Sequence, residues 1–277
     1  PPTRLMFYPF ASYTAVSQKN TETVSTVGFG MDVKYGITES FTLDVTLIPD
    51  FSQAAFDKVE LNLGPFEQRF DEQRQFFKEG VNLFSKGDLF YSRRVGSSPV
   101  ERGDVYDDLI DEADEVEEVV ENPSSVKMLN AIKVSGRNKN GLGIGVFNAI
   151  TEKTVASIKN TKYMLDDNDE KIDSTITYRE RVTEPFANYN IIVLDQQFNQ
   201  NSSVTFITTN VLREGHFRDA NATALLVDLT DKTNTYNISA QGKMSHLNLV
   251  GDNSTGFDSS LQLRKVSGTY QYGLEGR

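Results

Sequence analysis

Four of the five carboxylates in one aromatic stretch, "GPFEQRFDEQRQFFKEGVNLFSKGDLFYSRRVG", residues 64 to 96, are Glu67, Glu72, Glu79 and Asp88. Two carboxylates about 5 to 9.5 Å apart hydrolyse a glycosidic bond, one as acid and one as nucleophile or base, with neighbouring rings as sugar platforms. Those four are therefore the candidates for a glycan-directed hydrolase. Spacing alone fixes no pair among them, because any acidic loop offers as many carboxyls. Arg93 and Arg94, in "SRR", have the planar donors that clamp a carboxylate or phosphate, and a structural salt bridge would use the same geometry.

Other chemistries find little support. The chain has no cysteine, which excludes disulfides and thiolate metal sites, and its two histidines, His216 and His246, are too few for an imidazole-rich metal centre. "DDNDE" and the acidic stretch further upstream lack the spacing and glycine of an EF-hand. No nucleophile elbow, P-loop or dinucleotide fingerprint occurs, so no cofactor and no metal is expected. A net charge of −11 argues against nucleic acid as a partner, since phosphate binding needs a basic face.

The elements that would position these residues are strands. In "VGFGMDVKYGI" the residues Val27, Phe29, Met31, Val33, Tyr35 and Ile37 share one face, opposite Gly28, Gly30, Asp32, Lys34 and Gly36. "SFTLDVTLIPD" repeats the alternation, and "GITES" joins the two as a hairpin. "NKNG" turns a second hairpin, with Ala131, Lys133, Ser135 and Arg137 on one face. Two more follow, across "NQN" and across "TDKTN". Between them, "TVASIKNTKYMLDDNDEKIDSTITY" reads as a long loop or strand extension. Residues 101 to 127 read as an acidic, solvated loop, with room for a short helix at "DEADEVEEVV".

Alternation of this kind fits a soluble sandwich, apolar faces inward, or an outer-membrane barrel, apolar faces toward lipid. Strands near ten residues, polar faces rich in Gly, Ser, Thr, Asn and Gln, and short turns alternating with long loops favour the antiparallel transmembrane barrel. No apolar run is long enough for a membrane-spanning helix, which leaves a barrel untouched. A wide barrel needs an inserted element or a water-filled lumen. Residues 64 to 96 are expected to be that plug-like insert, in which Phe66, Phe76, Phe77 and Phe84 form a core of their own. Arg69, Arg74, Arg93 and Arg94, with Tyr91 beside them, would pair with Glu67, Glu72, Glu79 or with Asp32 and Asp44 of the wall.

The ordered runs "GMDVKYGITESFTLDVTLIPDFSQ", "LNLGPFE", "FFKEGVNLF", "LFYSRRVG", "NAIKVSGRNKNGLGIGVFNAITE" and "EPFANYNIIVLDQQFNQNSSVTFITTNV" resemble one family, domain-of-unknown-function family 5916. The resemblance covers nearly the whole chain. Where that family reads Phe-Pro-Glu-Lys-Arg-Pro-Phe-Phe this chain has "FDEQRQFF": Asp71 and Gln75 replace prolines, and Glu72, Arg74, Phe76 and Phe77 carry over. The resemblance implies a bacterial outer-membrane β-barrel with a separate upstream module similar to carbohydrate-binding family 9. Residues 1–277 would then be one barrel domain cut from a longer protein, in contact with outer-membrane lipid. Three roles follow as expectations: binding or uptake of a carbohydrate-related or other nutrient ligand, glycan hydrolysis at the membrane, or assembly with other envelope proteins.

Overall fold

A computed structural model describes residues 4–16, 24–48, 72, 74–166, 170–249 and 251–277. Among the described residues, period-two side chains build fourteen strands: β1 (Leu5–Val16), β2 (Val24–Gly36), β3 (Phe41–Leu47), β4 (Glu115–Glu121), β5 (Met128–Arg137), β6 (Leu142–Thr151), β7 (Thr154–Leu165), β8 (Lys171–Glu184), β9 (Ala187–Phe198), β10 (Ser202–Arg213), β11 (Asp219–Thr230), β12 (Tyr236–Leu249), β13 (Asp252–Lys265) and β14 (Tyr272–Gly276). Eleven of them form one antiparallel sheet in the order β1-β2-β3-β5-β6-β9-β10-β11-β12-β13-β14. Strands β4, β7 and β8 form a second sheet of their own.

Register carries one side-chain parity across the whole large sheet. Phe7 faces Val33, Val33 faces Val45, Val45 faces Ile132 and Ile132 faces Asn148, each cross-strand neighbour pointing the same way. The same face continues through Ile192, Phe206, Leu225, Met244, Phe257 and Leu274. No described element covers it. Phe29, Phe257 and Leu274 are 67, 79 and 72% exposed, so an apolar surface spans the sheet from edge to edge. The turns at residues 37–40, 138–141, 199–201 and 231–235 lie at one end of the strands, and the long excursions at 48–127 and 152–186 leave from the other.

Closure of this sheet is not found. No pairing joins β1 to β14 among the described residues, and the sheet has two free edges. In an eleven-strand antiparallel order the first and last strands run the same way, so an antiparallel closure takes an odd number of further strands.

Residues 154–165 and 171–184 are a long hairpin, β7 and β8, the strand alternative of the two expected there, and one expectation is corrected, because the loop or helix expected at 101–127 contains strand β4 paired to β7. Their composition hid this, because the charges are satisfied across strands rather than by water. Arg179 grips Glu117 through Nε at 2.7 Å and Nη2 at 2.7 Å, Arg181 pairs with Asp108 and Glu101, and Val105, Ala156 and Ile158 fill a small core between the two excursions.

The Arg179 bonds hold the Glu117 carboxyl down at about 2 against the opposing push of burial, with added donors from the Ile110 backbone N–H and the Asn160 amide. A carboxyl depressed in the folded state stabilises it above the unfolded value, near 4.3, and that contribution drains as pH falls toward about 2. Protection of the β4 amides, as exchange relative to the intrinsic rate at each pH, is therefore expected to fall between pH 4.5 and 2. In Glu117→Gln it is expected to be low already at pH 6 and to lose that dependence. Unaltered protection in the variant would show that the pair does not hold β4.

Candidate functional site

The polar parity of the large sheet is where the chemistry gathers. Under β6, β9 and β10 this face is apolar in its own right: Phe147, Ala149, Ile191, Val193 and Ile207 are buried there. What buries them is the segment from Arg74 to Val95, a four-residue helix α1 (Gln75–Lys78) followed by short 3-10 turns at Lys86–Asp88 and Ser92–Arg94. Phe76 and Phe77 meet edge to face at 5.1 Å, and Phe77, Phe84 and Phe90 reach the Phe147 ring at 5.8, 6.4 and 5.4 Å. The rings therefore pack on the sheet instead of forming the separate core expected of them. Glycines in β6 make room, for a Cβ on Gly145 would sit 3.1 Å from the Phe84 ring and one on Gly143 2.9 Å from Leu83.

Charged side chains fasten the segment at three points. At its start, Arg74 donates to Glu72 and to the carbonyls of Ser92, at 2.8 Å, and Val95, at 3.0 Å, while its guanidinium lies 4.1 Å over the Phe77 ring. Burial pushes the Glu72 carboxyl up, but bonds from Arg74 and from the Ser92 hydroxyl outweigh it and leave it at about 2. In the middle, Lys133 of β5 donates to the Phe76 and Glu79 carbonyls at 2.6 Å each, occupying the C-terminal end of α1. Asp44 lies 3.5 Å from Lys133 and 3.9 Å from Lys34, which in turn pairs with Glu79. Farther along, Asp195 of β9 is wholly buried and accepts from Lys86 at 2.5 Å, from the Thr205 hydroxyl at 2.5 Å and from Arg137.

Of the residues singled out in the sequence, the structure brings Glu72, Arg74, Phe76, Phe77, Glu79 and Phe84 into this one contact region. Tyr91, Arg93 and Arg94 follow in and beside the last 3-10 turn, with Arg93 half-buried and Arg94 exposed. Asp88 is exposed, with a backbone φ of 56°. Phe66, Glu67 and Arg69 lie outside the described residues. The ion pairs differ from those expected on the wall side: Asp44 meets lysines, not arginines. A glycosidase acid needs a raised pKa, and Glu72 has the reverse. His216 and His246 contact Glu101 and Thr255 respectively, away from the segment.

Lys34, Lys86, Lys133, Arg137, Asp195 and Thr205 were not singled out from the sequence. For the five on strands the signal was parity, since each is polar on the face opposite a run of apolar side chains; Lys86 lies in the 3-10 turn of the segment and had no such signal.

The class is all-β: an antiparallel sheet with one largely apolar face and, packed on the other, a ring-and-charge segment. The chain belongs to the family described as domain of unknown function 5916, which it matches over residues 1–277. Among solved structures it is similar to OmpT, an outer membrane protein of Vibrio cholerae in its trimer form, at 10% identity, covering 99% of this chain and 89% of that one with a TM-score of 0.23. The loop-deleted OmpTdeltaL8 gives 11% identity, 99% and 93% coverage and a TM-score of 0.24. Overlays at this level support no inference on strand number, closure or activity. No curated protein matches.

Proposed function

We propose that this chain is wall of an outer-membrane β-barrel, that its apolar face contacts lipid, and that residues 74–95 narrow the lumen in which a nutrient solute is bound or passed. One observation carries the reading: across the eleven strands of the sheet a single side-chain parity is mostly apolar and uncovered, broken by an asparagine and threonine band (Asn148, Asn190, Thr208, Asn221, Thr223) toward the end from which the long excursions leave, while the opposite parity gathers most of the charges. An uncovered apolar surface of that breadth is costly in water and costs nothing against acyl chains. The position of the long excursions at one strand end and short turns at the other is the asymmetry of such barrels, in which the short turns face the periplasm.

The family resemblance supports a carbohydrate-related ligand, and the segment against the inner wall supports a narrowed passage. Hydrolysis has the weaker support. Glu72 and Glu79 are each held in an ion pair, with Arg74 and Lys34, and neither is presented to an open site as a proton donor.

Electrophoresis of the outer-membrane fraction, with and without boiling, tests the reading. A closed barrel has every edge paired and resists detergent until heated, so a boiling-dependent shift in mobility is expected. Recovery in the soluble fraction with no shift would overturn it, and the apolar face would then have to be covered by protein.

A further inference from the structure

At the short-turn end of the inner wall, the segment and the sheet leave an open cleft of about 450 Å³. Its walls include Asn82 and Lys86 from the segment and Ser135, Arg137 and Gln197 from β5 and β9. Lys86 and Arg137 share a single counter-charge, because both bond the same buried carboxylate, Asp195. Among the described ion pairs, Lys34 and Lys133 meet two carboxylates, Asp44 and Glu79, and Arg74 meets Glu72. The pair of cations at the cleft, by contrast, meets one carboxylate among the described residues.

Donors are also left over. Lys86 has three hydrogens, given to Asp195 and Thr205, and Arg137 gives its terminal nitrogens to Asp195 and the Gly141 carbonyl. One Lys86 hydrogen and the Arg137 Nε–H have no acceptor among the described residues, and both side chains are about a third exposed, at 28 and 31%. The Asn82 and Gln197 amides and the Ser135 hydroxyl stand beside them as neutral donors.

We propose that this cleft binds a small oxyanion, a carboxylate or phosphate group, between Lys86 and Arg137, with Asp195 positioning both cations. A carboxylate or phosphate supplies the charge and acceptor oxygens that this arrangement lacks, and a neutral sugar supplies neither charge nor a bidentate acceptor. The assignment deepens the lumen reading above by giving the solute an anionic group.

The test is titration calorimetry on detergent-folded protein at low salt, with inorganic phosphate, acetate and, as neutral control, glucose. Binding of phosphate or acetate but not glucose is expected, weakened about tenfold or more in Lys86→Gln, largely restored in Lys86→Arg, and reduced by added sodium chloride. Which of the two anions binds tighter identifies the group preferred. Absence of binding, equal binding of glucose, or unchanged affinity in Lys86→Gln would overturn the site. Boiling-dependent mobility is read on the same preparations. A shift without anion binding removes the anion site and leaves the barrel, and anion binding without a shift does the opposite.

Discussion

Replacing Phe147 by alanine is expected to release residues 74–95 from the wall while leaving strand pairing in place. Phe147 is the common contact of Phe76, Phe77, Phe84 and Phe90, with ring centroids between 5.4 and 6.4 Å away. Its backbone pairs with Lys133 and Ile191 through hydrogen bonds that do not involve the ring. Truncating a buried phenylalanine costs about 3–5 kcal/mol, and here the loss falls on docking of the segment. Proteolysis after Lys78, Lys86, Arg93 or Arg94 should speed up by at least about a hundredfold, since 1.4 kcal/mol is tenfold in an opening equilibrium. The boiling-dependent shift should persist. Cleavage no faster than in the parent would mean that the rings do not seat the segment.

Asp195→Asn is expected to have the second large effect. The carboxylate is wholly buried, and its oxygens accept from Lys86, Thr205 and Arg137. Its neutralisation leaves two cations side by side with no counter-charge. Removing one partner of a buried pair costs about 3–5 kcal/mol, and because Lys86 and Arg137 can turn partly to water the lower end applies here. Protease protection of the turn at Lys86–Asp88 should fall first. Adding Lys86→Gln to Asp195→Asn should recover part of the loss, because the second change removes the repulsion left by the first. Strictly additive losses would show that the three groups do not act together.

Much of the architecture was legible in alternation. The hairpins at residues 24–47, 128–151, 187–213 and 219–249 lie where "GITES", "NKNG", "NQN" and "TDKTN" signalled turns. The apolar parity in β2 and β12 is the one the sequence displayed. The second sheet was harder to see. Glu115, Glu117 and Glu118 suggested solvated chain because nothing local reveals that Lys162, Arg179 and Lys159 stand opposite them some 40 to 60 residues later.

For the site, the aromatic segment was found and its seat was not. A cue existed in "NIIVLD" of β9, where Ile191, Ile192, Val193 and Leu194 are apolar on both parities. A strand apolar on both sides is covered on both sides, which is incompatible with a purely water-lined inner face at that place. Similarly, Phe147 interrupts the glycine face of "GLGIGVF", between Gly145 and Ala149. Of the charges on the polar parity, Asp195 meets the segment's Lys86, while Lys133 pairs with Asp44 and Arg137 with Asp195 within the sheet. Their partners were out of reach because one-dimensional spacing does not place residue 86 against residue 195.

Strand β12 offers the most direct test of the claim that the apolar parity faces lipid. The chain contains no cysteine, so single cysteines can be introduced from residue 238 to 244 and labelled with a polarity-sensitive fluorophore, without background, in protein reconstituted into phospholipid vesicles. Labels at positions 238, 240, 242 and 244 should be quenched by brominated acyl chains, and those at 239, 241 and 243 by a water-soluble quencher, alternating residue by residue. Uniform access to the water-soluble quencher, or alternation of the opposite phase, would contradict a lipid-facing wall.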